Sequence, residues 1–141
     1  MNNYSFEEIY IGQTESFDIK ITSKMMKIFK KLTGDTNPLH TDTKYAKKNN
    51  FEGKVVYGLL TTAFLSKLVG IYLPGENSLM QTSKFFFVKP VYIRDKLKIV
   101  GQVEFKDTLN KVIKIKINIY RNYTETVVRG EMRIGFIEYD K

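Results

Sequence analysis

The chain has 141 residues, 43% hydrophobic and 27% charged, ordinary values for one globular domain with a real core. It has no cysteine and a single histidine, which excludes disulfides, thiolate chemistry and a multi-histidine metal site within one chain. The net charge of +8 raises the question of nucleic acid. The lysines are dispersed, however, and no zinc-finger, basic-zipper or aromatic RNA-binding signature accompanies them. A basic surface equally suits a phosphate-bearing small molecule. The opening residues, Met1 to Glu8, lack a basic head followed by an apolar stretch, and no apolar run reaches spanning length, so the expectation is a cytoplasmic protein without a membrane partner.

In chain order, Phe17 to Ile21 alternates apolar and polar residues, a short strand signal. Thr22 or Ser23 then caps a helix whose apolar residues Met25, Met26, Phe29 and Leu32 recur at helical spacing, and Gly34 ends it. Lys24, Lys27, Lys30 and Lys31 on this helix read most simply as a solvated face. After the loop from Asp35 to His40, Asp42 caps a short helix through Lys48, with Tyr45 and Ala46 on its buried side. A more apolar helix runs from about Gly58 to Ile71, apolar most of the way round, until Leu73-Pro74-Gly75 breaks it. The residues from Leu73 through Met80 are expected to help close a ligand pocket.

The remainder reads as strands. Ser83 to Val88 is dense in aromatics, with Phe85, Phe86 and Phe87 suited to core and interface. Lys96 to Val103 leads to a turn at Asp107–Asn110. Ile113, Ile115, Ile117 and Ile119 alternate with polar residues, and Val128, Gly130, Met132, Ile134 and Phe136 repeat the pattern. Consecutive strands with short turns imply an antiparallel sheet, and the helices before them an α+β fold in one domain over 1–141.

The chemistry concentrates in Gly34-Asp35-Thr36-Asn37-Pro38-Leu39-His40. One carboxylate precedes the only imidazole by five residues, across an Asn-Pro turn that disfavours helix at Asn37 and fixes the backbone at Pro38. Histidine changes charge near neutral pH, and a carboxylate orients it or shares its proton work. Taken alone, the segment is also what an ordinary loop looks like.

This segment resembles the D-x-N-P-x-H motif of MaoC-like hotdog proteins, the (R)-specific enoyl-CoA hydratases. Phe51-Glu52-Gly53-Lys54-Val55-Val56-Tyr57-Gly58-Leu59-Leu60 is similar to the family's approach to its central helix. The resemblance covers nearly the whole chain and implies a hotdog fold, a long central helix wrapped by a curved antiparallel sheet. It implies reversible addition of water to trans-2-enoyl thioesters in fatty-acid metabolism, giving the (R)-3-hydroxyacyl product. Asp35 and His40 match the catalytic pair, and Gly58 the glycine whose N–H binds the thioester carbonyl. Ser66 falls where short-chain members carry a serine. Tyr57 stands where many members have histidine, and either lends its hydroxyl to the substrate or packs. No metal and no cofactor is expected, because the substrate brings its own CoA or phosphopantetheine arm. A homodimer acting on acyl-CoA or acyl-carrier-protein thioesters is the expected assembly, with no nucleic acid.

The mechanism follows from the residue types. Hydration of a conjugated thioester needs a base for water, an acid for the α-carbon and a partner for the enolate oxygen. The pair supplies the first two, and N–H groups at the start of the Gly58 helix lack intrahelical partners and suit the third. Ser66 lies about 12 Å further along an ideal helix, so it supports or shapes the acyl pocket. The alternatives are an acyl-CoA thioesterase and a non-catalytic acyl-CoA-binding hotdog protein.

Overall fold

A computed structural model of the chain describes residues 1–137, so the last four residues of the expected domain lie outside the described residues. Strand β1 spans Thr14–Lys20 and is followed by helix α1, Ser23–Thr33. Thr22 caps α1 by accepting from Met25 N at 3.2 Å. Gly34, at φ 74°, closes it with its N–H on Lys30 O. Both are the expected caps. Met26 is buried and Met25 and Phe29 pack on the core, but Leu32 is 80% exposed because the last turn runs past the core's edge.

Two short helices follow, α2 at Pro38–Thr41 and α3 at Thr43–Lys48. Asp42 caps α3, accepting from Lys44 N and Tyr45 N. Ala46 is fully buried, whereas Tyr45 is exposed rather than on the buried side.

The expected single central helix is segmented. Helix α4 spans Gly58–Ala63, α5 spans Leu65–Lys67, and a π-helical turn covers Leu68–Tyr72. Thr61 and Thr62 explain the break. Both are buried, and their hydroxyls bond carbonyls one turn back, on Tyr57 and on Gly58 and Leu59. Such back-bonding competes with the helical ladder and bends it. The chain then tightens, with Lys67 N on Phe64 O, and loosens into the π turn, with Leu73 N on Leu68 O. Leu65, Leu68 and Val69 face the core, while Leu59 is exposed at 68%.

The remaining strands are β2 (Ser78–Phe87), β3 (Lys96–Asp107), β4 (Val112–Arg121) and β5 (Glu125–Phe136). The sheet order is β1-β3-β4-β5-β2, antiparallel throughout. Register follows the apolar alternation, with Ile99 opposite Phe17 and Ile119, and Ile113 opposite Ile134. Ile113, Ile115, Ile117 and Ile119 are all fully buried. Register shifts that leave an extra residue in β2, β3 and β5 (Gln81, Glu104 and Val127) mark bulges, which bend a sheet. The segmented helix lies on the inner face so closely that a Cβ on Gly101 of β3 would come within 2.7 Å of Leu68. This is the hotdog arrangement, with its helix in three pieces.

Candidate active site

The site is built where the turn carrying His40 meets the chain entering α4. Asp35 Oδ1 accepts from Asn37 N at 2.9 Å, an Asx turn. Asn37 in turn caps α2 by accepting from Leu39 N, with Pro38 at the first helical position. His40 therefore stands on a short helix rather than on an open loop.

Two backbone bonds fasten this turn to the body of the domain. Val55 N donates to Leu39 O, and Val56 N donates to Val91 O at 2.8 Å. The imidazole adds a third, with His40 Nδ1 lying 2.7 Å from Val55 O. A carbonyl oxygen only accepts, so Nδ1 carries the proton and the neutral ring keeps Nε2 as its acceptor.

Tyr57 joins the two candidate residues. It is buried at 3% exposure, its hydroxyl donates to Asp35 O at 2.7 Å, and its ring lies 4.2 Å from the His40 ring at 31°. The Phe29 ring also packs against it, 4.8 Å away and tilted by 42°. Burial, and then the negative charge of Asp35, push the Tyr57 hydroxyl above its ordinary pKa, which keeps it a donor. By its place in the sequence Tyr57 suits either substrate contact or packing. The hydroxyl is instead bonded to the backbone of Asp35, 22 residues away.

His40 lines two cavities. One, of about 300 Å³, is walled by Phe51, Val55, Val56, Phe87, Val91 and Val128 and reaches Gly58. The other, of about 360 Å³, is lined by Tyr57, Met26, Lys27, Lys30 and Lys54. Gly58 opens α4, and the residue before it makes no side-chain cap bond there. A Cβ at Gly58 would sit 3.0 Å from the Phe87 ring, so this glycine also lets the start of α4 pack closely on β2. Ser66 lies on α5, is exposed, and lines neither cavity. Residues 73–80 do not line them either: Gly75 packs on the backbone of Asn2, and Tyr4 N bonds Pro74 O. The expected pocket closure by that segment is not seen, because the N-terminal residues hold it elsewhere.

The segment 88–95, which walls both cavities, is tied down by Arg121. Its guanidinium donates to Pro90 O, bonds Glu125 and lies 3.6 Å from Asp95. Its spacing to Glu125 on adjoining strands was visible in the sequence; its reach to Pro90 was not.

A family model described as MaoC like domain matches residues 8–125. The chain belongs to the MaoC-like domain family. This MaoC-like chain is 33% identical over 90 residues to an (R)-specific enoyl-CoA hydratase of Rhodospirillum rubrum, 64% of this chain and 62% of that one. It is 31% identical over 109 residues to a mitochondrial 3-hydroxyacyl-(acyl-carrier-protein) dehydratase of Arabidopsis thaliana, 76% of this chain and 64% of that one. The matched stretch thus spans under two thirds of the length of these relatives. Among solved structures, the unliganded R-hydratase PhaJ1 of Pseudomonas aeruginosa superposes with a TM-score of 0.89 at 27% identity, covering 97% of this chain and 88% of that one. Among the described residues, no group of three or more His, Asp or Glu side chains is placed to hold a metal. No helix among them is long and apolar enough to cross a membrane.

Proposed function

We propose that the protein is an (R)-specific enoyl-thioester hydratase, working in reverse as an (R)-3-hydroxyacyl-thioester dehydratase, with Asp35 and His40 as its catalytic pair. The observation that carries the reading is the bond between His40 Nδ1 and Val55 O. It commits one ring nitrogen to structure and leaves the other basic, on a side chain that lines both cavities.

Water is held between the Asp35 carboxylate and His40 Nε2. As Nε2 takes a proton, the water oxygen bonds to the β-carbon. The electron pair of the double bond moves through the α-carbon onto the thioester oxygen. The imidazolium, its charge balanced by Asp35, then returns a proton to the α-carbon, so that one water is added in all. The N–H of Gly58 donates to the enolate oxygen; losing one donor of that kind costs about 3 kcal/mol. Tyr57 fixes the spacing of the pair, and Ser66, exposed on α5, takes no part in these steps. The thioester brings its own carrier, CoA or a phosphopantetheine arm, and no cofactor enters.

The names of the relatives, on both CoA and acyl-carrier-protein thioesters, support this substrate class. A homodimer fits as well, since the edge strand β2 exposes Leu79, Met80, Phe86 and Phe87. The test is incubation with crotonyl-CoA and with longer enoyl-CoA thioesters, reading product chirality and free CoA. The expected result is (R)-3-hydroxyacyl-CoA without CoA release. Free CoA instead makes the protein a thioesterase, and tight binding without turnover makes it an acyl-CoA-binding protein.

A further inference from the structure

The three lysines in the larger cavity are not explained by the hydration chemistry. Ser23, Met26, Lys27 and Lys30 come from α1 at spacings of three, four and seven residues, one stripe of that helix turned toward the cavity. Lys54 comes from the chain entering α4, one residue before the Val55 carbonyl that holds His40. No Asp or Glu lines this cavity. Among the described residues none of the three lysines forms an ion pair, whereas Lys89, Lys114 and Arg121 all do. Three like charges around one concavity repel each other and concentrate a positive field there, which an anion relieves. The second cavity at His40 is walled mainly by apolar side chains, and its one lysine, Lys89, is already paired with Glu125 at 2.7 Å. The imidazole therefore stands between a basic space and an apolar one, which matches a ligand with one anionic and one apolar end.

We infer that Lys27, Lys30 and Lys54 bind the phosphate of the substrate's carrier arm, so that the carrier enters through the basic cavity and the acyl chain lies in the apolar one. The inference rests on the thioester reading above and adds the end from which the substrate is gripped. Lysine suits the task as a flexible point charge for phosphate oxygens. Phosphate is common to CoA and to a carrier protein's phosphopantetheine arm, and the two sources are separable by substrate.

The experiment compares the wild-type protein with the triple variant Lys27→Ala/Lys30→Ala/Lys54→Ala on crotonyl-CoA, crotonyl-phosphopantetheine and crotonyl-pantetheine, with circular dichroism as the folding control. The triple Lys→Arg variant serves as the rescue. The expected result is a KM for crotonyl-CoA raised on the order of tenfold or more, with kcat/KM for phosphate-free crotonyl-pantetheine within about twofold. Recovery in the arginine variant, and a wild-type KM for crotonyl-CoA that rises with salt, complete the signature. An equal penalty on crotonyl-phosphopantetheine places the contact at the phosphate shared with a carrier protein; a penalty on crotonyl-CoA alone places it at the nucleotide phosphates. Both support the inference. Equal losses on crotonyl-pantetheine, or no loss on any substrate, overturn it. If the wild-type protein turns over no thioester, the hydratase reading fails, and calorimetry with CoA itself still decides: weaker CoA binding by the triple alanine variant upholds the lysine site, and unchanged or absent binding rejects it.

Discussion

Replacing Tyr57 by Phe separates a positioning role from a substrate contact. The change deletes one hydroxyl and keeps the ring between Phe29 and His40. The lost bond, Tyr57 to Asp35 O at 2.7 Å, has a typical net worth of about 0.5–1.5 kcal/mol. Asp35 is exposed, so water can reach its freed carbonyl and the cost falls in the lower half of that range. For a chain of this size the melting temperature should drop by about 1–4 °C. Activity should suffer more. The bond is what ties the Asp35 backbone to the side chain packed against His40, and a displacement of about 1 Å in a catalytic group costs on the order of a hundredfold. A tenfold to hundredfold fall in kcat on crotonyl-CoA is expected, about 1.4–2.7 kcal/mol, with KM moving less than about threefold. The assay is the loss of enoyl-thioester absorbance beside a thermal melt. A raised KM at unchanged kcat would mean that the hydroxyl binds substrate directly, and unchanged kinetics would mean that it only packs; either result refutes the reasoning.

Three further outcomes are expected. Gly58→Ala should leave stability within about 1 kcal/mol, since the exposed Phe87 ring can swing away and alanine suits a helix start, yet it should lower kcat by obstructing the thioester's approach to the backbone N–H; a thermal melt and the hydration assay check both halves. Tyr57, whose hydroxyl is held above its ordinary pKa, favours the fold while protonated. Its contribution is therefore complete below the unfolded tyrosine value and is lost as pH rises through the folded one, so Tyr57→Phe should flatten the alkaline limb of a stability-versus-pH curve. Glu125 behaves oppositely. Hydrogen bonds from Lys89 and Arg121 hold its carboxyl below the ordinary value, so its contribution is present above the unfolded glutamate pKa and is lost as pH falls through the folded one. Glu125→Gln should flatten the acid limb and loosen the 88–95 segment, read as faster amide exchange there.

The strands were readable because burial on one face imposes strict alternation, as in Ile113 through Ile119, and the caps because Thr22, Gly34 and Asp42 act within a few residues. The turn at His40 was half readable. Asn37-Pro38 at a cap and first helical position is a helix-start signal as well as a loop signal, and the structure uses it as both. The segmentation of the central helix was present only as Thr61 and Thr62, polar residues whose back-bonding depends on burial that tertiary packing supplies. What local pattern cannot carry is contact across the chain. Tyr57 meets Asp35 across 22 residues, and Lys54 faces Lys27 and Lys30 only because Val55 pairs with the His40 turn. With sequence neighbours alone, Tyr57 suits packing or substrate contact equally, and Lys27 and Lys30 suit a solvated helix face.

The central claim, that Asp35 and His40 form one proton-handling pair, is tested most directly by kcat/KM for crotonyl-CoA hydration in Asp35→Asn and His40→Ala, each with a matching circular-dichroism spectrum and melt. The pair predicts a folded protein with activity down about 10²–10⁴-fold in both variants. Full activity in either variant would contradict it.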